Sequence, residues 1–425
     1  MKDKTIIKES PNGIRFVFYN TKRFKNTRIS VRFAVPLSAD TACATALVPA
    51  LLKHSCKVCP SNAQLEKRLA SLYGASLSGA SEKYGDAQVV SLTVNSIADR
   101  FAMYGEKISS DIAELLLQII FNPDFDESGM FKQENCDREK RLQIEQIQGI
   151  LNDKITYAMH ELQKAMFEGK SYALSAQGTV EGVQSLTPSD ITARYRELLE
   201  SARVQITVIG DVDCSVIERL FTEKFSEYGK RRENIVCDNS YARHGVKEVE
   251  EEMALSQGKL CLGFRVGGED IYANRVMCDM FGGGVYSKLF RVVREKMSLC
   301  YYCSAKYMRL KECIFVQSGI ENVNRDKAVK GILDQLEALA SGDFTEEDFD
   351  ASVRGLNDIY SGASDTAAEI DIWNSSQILD DNILSTEEYL RGINGVTRED
   401  VISAAKKVKL DTVYTLIGNL KEELN

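Results

Sequence analysis

Apolar and polar residues alternate along Arg28–Phe33, the two-residue period of a half-buried strand, and Arg15–Tyr19 before it is a short run of apolar and aromatic residues that also reads as a strand. The chain is therefore predicted to open with a pair of strands. The period then lengthens to that of helices over about 41 to 56 and 62 to 73, with Pro49 expected to bend the first, before a further strand, Gln88–Val94. A helix-rich stretch from about 126 to 167 places Leu142, Ile147, Ile150, Leu151, Ile155, Met159 and Leu162 on what reads as one core-facing stripe.

An internal echo sets the architecture. Thr187-Pro188-Ser189-Asp190-Ile191 opens a helical pattern that runs into the strand-like Val204–Val212, and Thr397-Arg398-Glu399-Asp400-Val401 opens another that runs into Thr412–Leu420. Thr397 follows Thr187 by 210 residues and Gly418 follows Gly210 by 208, so the two copies keep nearly the same internal spacing. Each threonine is placed to cap its helix, with the aspartate three residues on reaching back to it. Strands near Lys259–Val266 and Glu312–Ser318 repeat the scheme in the second half. The expected fold is α+β, with two homologous halves, each a mostly antiparallel sheet covered by helices. Polar residues and glycines place a linker at 229–244, between an N-terminal domain over 1–228 and a C-terminal domain over 245–425.

Composition narrows the function. A net charge of −9 argues against binding a phosphate backbone, so nucleic acid is not an expected partner. No stretch has the roughly 18 consecutive apolar residues of a membrane span, and the residues after Met1 do not form a signal peptide's apolar core, which points to a cytoplasmic protein with no membrane partner. Eleven cysteines, mostly in apolar segments, read as reduced thiols rather than a disulfide framework.

Three segments carry candidate chemistry. The first is Ala50-Leu51-Leu52-Lys53-His54, at the end of the first predicted helix. The zinc-peptidase pattern His-x-x-Glu-His needs two imidazoles four apart on one helical face and a carboxylate base beside them. Only His54 is present, with Ala50 at the other ligand position and Lys53 at the base. The second is Glu139-Lys140-Arg141-Leu142-Gln143-Ile144-Glu145-Gln146-Ile147, and the third Leu289–Tyr301, preceded by Gly282, Gly283 and Gly284. Arg294 and Tyr301, seven apart, are fixed donors suited to negative charge on a carbonyl oxygen.

On these segments, and over nearly its whole length, the chain resembles peptidase family M16, the pitrilysin, insulysin and mitochondrial-processing-peptidase group. It resembles in particular a bacterial branch that lacks the zinc motif, found beside an intact relative and tied by name to modification of elongation factor P. The resemblance implies a LuxS/MPP-like metallohydrolase fold. It puts Gln146 at the third zinc-ligand position and Glu139 in a supporting one, and a neutral amide is a poor replacement for the carboxylate. Arg294 and Tyr301 take the places of the pair that holds the substrate backbone and the developing oxyanion. The expectation is a chain with no metal and no cofactor, inactive alone, that positions unfolded peptides for a catalytic M16 subunit carrying an intact zinc motif. The alternative is a peptide- or protein-binding scaffold with no part in proteolysis.

Other signals read more simply. The glycine run at 282–284 would let a backbone pass close to another chain or a peptide, and no Gly-Lys-Ser/Thr follows to make it a phosphate loop. Cys56-x-x-Cys59 and Cys300-x-x-Cys303 read as coincidental spacings, and Glu248–Glu252 as a solvated strand entrance. His160 and His244 have no Cys or His at ligand spacing.

Overall fold

The computed structural model describes residues 5–229, 234–240, 245–267 and 270–419. Half of the expected linker, 230–233 and 241–244, lies outside the described residues. Two compact units are present: 1–148 with 174–236 and 363–385, and 149–173 with 237–362 and 386–425.

In the first unit, β1 (Thr5–Glu9), β2 (Arg15–Asn20), β3 (Asn26–Pro36), β4 (Ser76–Tyr84), β5 (Ala87–Ile97) and β6 (Arg203–Gly210) form one sheet in the order β1-β2-β6-β3-β5-β4. In the second, β7 (Lys247–Met253), β8 (Gly258–Arg265), β9 (Cys300–Met308), β10 (Cys313–Ile320) and β11 (Lys409–Gly418) take the order β7-β11-β8-β10-β9. The orders match strand for strand once β1 is set aside. Each closing strand, β6 or β11, lies parallel to an opening strand, β2 or β7, and every other pairing is antiparallel. The echo is therefore structural as well. Both capping boxes form, Thr187 with Asp190 and Thr397 with Asp400, in front of the helices that lead into β6 and β11.

Alternation along β3 shows how a sheet is covered on both faces. Ile29, Val31, Phe33 and Val35 enter a core shared with Leu47, Leu51, Ile112 and Phe221. The other face presents Arg28, Ser30 and Arg32 to Asp371, on the helix Ala367–Ser375. Arg32 Nη1 and Nη2 donate to the two Asp371 oxygens at 2.6 and 2.8 Å, Arg28 Nε donates at 2.7 Å and Ser30 Oγ at 2.7 Å. Burial pushes this carboxyl up, but Arg32, Arg28 and Ser30 outweigh it and hold it below the usual carboxylate range. In the second unit the helix Lys154–Met166 does the corresponding job with apolar groups, placing Ala158, Leu162 and Met166 against Cys261, Phe315 and Tyr414.

Each unit thus takes one covering helix from the far half of the sequence, and the contiguous division at 228 and 245 describes only the remainder of each. The stripe expected over 126 to 167 is also divided. It breaks at the 3-10 turn Ile150–Asn152 into the helices Gln133–Gly149 and Lys154–Met166, which belong almost wholly to different units. Leu142, Leu151 and Ile155 are exposed, and Leu162 alone of the seven is fully buried.

Candidate functional site

Each unit has a cavity at the place where sequence reasoning located chemistry. In the first unit a cavity of about 410 Å³ is lined by Ala50, Lys53, His54, Asn62, Glu66, Leu77, Arg138, Glu139 and Leu142. The helix Ala42–Leu52 buries every residue except Ala50, which turns to this cavity. Pro49 lies inside that helix, and its carbonyl is passed closely by Gly79 of β4, where a Cβ would sit 2.9 Å from the oxygen. Lys53 follows as an exposed cap residue and His54 is half-buried.

From the helix Gln133–Gly149 the acidic residue that lines this cavity is Glu139, and the residue at 146 does not line it. Gln146 is seven residues further along Gln133–Gly149, two helical turns away, exposed and absent from the lining. The assignment of Gln146 to the ligand position is corrected accordingly. Between them, Gln143 is buried with its amide donating to the Gln177 carbonyl at 2.6 Å.

Sequence reasoning missed the residue that organises the cavity. Arg138 Nη1 lies 3.2 Å from His54 Nε2, while its Nη2 and Nε donate to Glu139 Oε1 at 2.9 and 3.0 Å. A guanidinium has no acceptor, so His54 Nε2 must be the unprotonated nitrogen that accepts. Burial lowers the imidazole's affinity for a proton and Arg138 lowers it further, against a smaller upward pull from Glu139, so His54 is held neutral. In the sequence Arg138 is one charge among many on a polar helix, and no local signal separates it from its neighbours.

These residues do not fit a zinc ion. Ala50 offers no donor atom, and the lone pair of His54 and a carboxylate oxygen of Glu139 are both engaged by Arg138. Lys53 and Arg138 add two cations where a dication would have to sit. Among the described residues no group of three or more His, Cys, Asp or Glu side chains could hold a metal ion.

In the second unit a cavity of about 390 Å³ is lined by Arg294, Glu295, Ser298, Leu299, Cys300, Tyr301, Glu321 and Asn324. The structure brings Arg294 and Tyr301 together here, and two irregularities of backbone do it. Leu289–Lys296 is a π-helix, continued by a bond from Met297 N–H to the Val292 carbonyl at 2.8 Å. Its wider turn buries Leu289 and Val293 and leaves Arg294 on the open side, partly exposed and stacked 4.4 Å over the Phe290 ring. Ser298 then takes a left-handed φ of 51° and reverses the chain into β9. There Gly319 pairs with Tyr302 but Ile320 pairs with Cys300, so Tyr301 is the extra residue of a bulge. It is turned outward, 59% exposed, with its hydroxyl 3.5 Å from Glu321 Oε1.

The glycine run does not line this cavity. Gly282 ends the helix Ile271–Gly282 against β9 of the same unit, where a Cβ would lie 2.6 Å from the Ala305 backbone nitrogen, and Gly283 and Gly284 abut Asp279 and Tyr286. The close approach expected toward another chain or peptide is made within this chain.

Arg294 and Tyr301 thus present a guanidinium edge and a phenol to one concave surface, donors suited to a carbonyl or carboxylate oxygen. Among the described residues no helix is long and apolar enough to cross a membrane.

Comparison with known proteins agrees with this picture. The family described as "Peptidase M16 inactive domain" matches residues 185–356. A "Probable inactive metalloprotease YmfF" of Bacillus subtilis is 29% identical over 418 residues, covering 97% of each chain. A conserved protein of Enterococcus faecalis V583 superposes with a TM-score of 0.89 at 27% identity, over 99% of this chain and 100% of that one. An M16 inactive-domain structure from Pseudomonas fluorescens, at 17% identity, shares the fold with a TM-score of 0.79 over 99% of both chains. With two matching sheets and a first cavity whose residues do not fit a zinc ion, the chain is similar over nearly its whole length to M16 peptidase relatives described as inactive.

Proposed function

We propose that this chain is the substrate-positioning subunit of a two-chain M16 peptidase, acting on unfolded peptides bound with a partner chain that carries an intact zinc motif. The observation that supports this reading is the asymmetry between the two cavities. The first has lost the ligands and the base and is neutralised internally by Arg138, whereas the second keeps Arg294 and Tyr301 side by side, partly exposed and directed at a common space. Paired donors of this kind act by meeting charge on a carbonyl oxygen as it develops, so they serve a reaction even when the metal is supplied by another chain.

The test is reconstitution with a zinc-bearing M16 chain from the same genome, followed by turnover of unstructured fluorogenic peptides. Arg294→Ala and Tyr301→Ala should each lower kcat by about 10²-fold, the magnitude seen when one oxyanion donor is removed. Unchanged turnover with both variants folded and bound would dispose of the reading in favour of a scaffold without a part in proteolysis.

A further inference from the structure

Cys300-x-x-Cys303 reads from sequence as a coincidental spacing, and on a regular strand it would be one. Residues three apart point to opposite faces and lie about 10 Å apart, beyond the reach of a disulfide. The bulge at Tyr301 changes both facts. Cys300 pairs with Ile320 and Cys303 with Ser318, positions two apart on β10, so both cysteines fall on one face at a spacing of about 6.7 Å along the strand, inside the roughly 6.8 Å limit for a disulfide. Ser318, the β10 partner of Cys303, is buried and donates its hydroxyl to the Tyr302 carbonyl at 2.9 Å. Cys303 is buried and Cys300 lines the cavity beside Arg294.

We propose that Cys300 and Cys303 are a thiol–disulfide exchange site on the wall of the Arg294 and Tyr301 cavity, which takes a low-molecular-weight disulfide as its reactant. This assignment stands apart from the subunit reading and does not need a partner chain.

The division of labour follows from geometry. Cys300 faces the space a small disulfide could enter, and Cys303, shielded behind it, is the resolving thiol. Charge supports the same order. The neighbouring Cys303 draws the Cys300 thiol down to about 7, against the opposing effect of burial, and Ser318 and the Arg294 guanidinium add to the lowering, while Cys303 is pushed well up. Glu295 and Glu321, the other charged groups around the cavity, are not among the causes of the shift.

The steps balance. The Cys300 thiolate attacks one sulfur of the disulfide RSSR, its S–S bond breaks, and one RS⁻ leaves and takes a proton from water. Cys303 gives its proton to solvent and its thiolate attacks the Cys300 sulfur, expelling the second RS⁻. Two electrons pass from the dithiol, RSSR becomes two RSH, and a Cys300–Cys303 disulfide spans the bulge that carries Tyr301.

Cys56 and Cys59 provide an internal control. They close a tight turn through Cys56 N–H to the Cys59 carbonyl at 3.0 Å and Cys59 N–H to the Cys56 carbonyl at 2.8 Å, but both are buried, neither lines either of the two cavities, and burial pushes the Cys56 thiol up.

The folded, reduced full chain is incubated with oxidised glutathione near pH 7.5, quenched in acid, and mapped by mass spectrometry. The expected result is a 300–303 crosslink ahead of any other among the eleven cysteines, with Cys303→Ser trapping glutathione on Cys300 and Cys300→Ser giving neither product. Circular dichroism shows that each variant remains folded. The proposal is overturned if the native chain forms no 300–303 crosslink, or if folded Cys303→Ser takes up glutathione at Cys300 only after denaturant is added.

Discussion

Arg138 gives the clearest quantitative test of why the residues of the first cavity do not fit a zinc ion. A zinc on His54 Nε2 would sit about 2.0–2.1 Å from that nitrogen, in the direction of the lone pair. Arg138 Nη1 occupies that direction at 3.2 Å, so guanidinium and metal exclude one another. Moving Arg138 away forfeits its hydrogen bonds to His54 and to the Glu139 carboxylate, where bonds to charged groups are worth about 1.5–3 kcal/mol each. A guanidinium that stayed within about 4 Å of the dication would add a repulsion of about 8 kcal/mol at an effective dielectric of 20, so it must leave altogether. Restoring the motif alone, as Ala50→His with Lys53→Glu, should therefore give weak zinc binding. Adding Arg138→Gln should tighten it by at least about 3 kcal/mol, or roughly a hundredfold, and Glu139→Gln on that background should abolish it. Competition with a chromophoric chelator measures each Kd. Equal zinc affinities with and without Arg138 would refute the reasoning, and tight binding that survives Glu139→Gln would return position 146 to consideration.

Three further outcomes follow from the same structure. The chain has three histidines, so its imidazole signals are resolvable by NMR; His54 should titrate below the usual histidine value and move up in Arg138→Gln, whereas an unchanged midpoint would mean that the guanidinium does not act on it. Asp371→Ala strands Arg28 and Arg32 against a buried face and should cost about 3–5 kcal/mol in urea unfolding, read by the fluorescence of Trp373 two residues away on the same helix. Because the folded Asp371 carboxyl is held below its unfolded value of about 3.9, its contribution is complete above that pH and is lost as pH falls through the lower folded value, so Asp371→Asn should flatten the acid limb below about pH 4. A cost below about 1 kcal/mol would show that the cluster does not hold the helix to β3.

What was legible in the sequence is what local physics encodes. The threonine caps at 187 and 397 and the alternation of β3, β6 and β11 depend on residues a few positions apart, and they survive intact. The exchange of covering helices was not legible, because the amphipathic pattern of Lys154–Met166 says that one face is buried without saying which sheet buries it. The same limit explains Gln146. A spacing of seven matches two positions on one helix equally well, and only tertiary placement shows that Glu139 is the one beside His54. The bulge at Tyr301 and the π-turn before it were hidden for another reason: each adds a residue without changing composition, yet together they decide which side chains meet in the cavity.

Charge shows how the first unit is held together where zinc ligands are missing. In a metal site the cation ties side chains from separate helices together, and deleting it while keeping His54 and Glu139 would leave a carboxylate, 9% exposed, without a partner, at a cost of a few kcal/mol. Arg138 supplies a positive charge at that place from within the chain and spans the same two helical segments, the end of Ala42–Leu52 through His54 and Gln133–Gly149 through Glu139. A guanidinium cannot activate water or polarise a carbonyl as a Lewis acid does, so the substitution keeps the structural half of the metal's role and gives up the chemical half. The buried carboxylate of Glu139 is thereby satisfied without a metal, while Arg294 and Tyr301 line the separate cavity of the second unit.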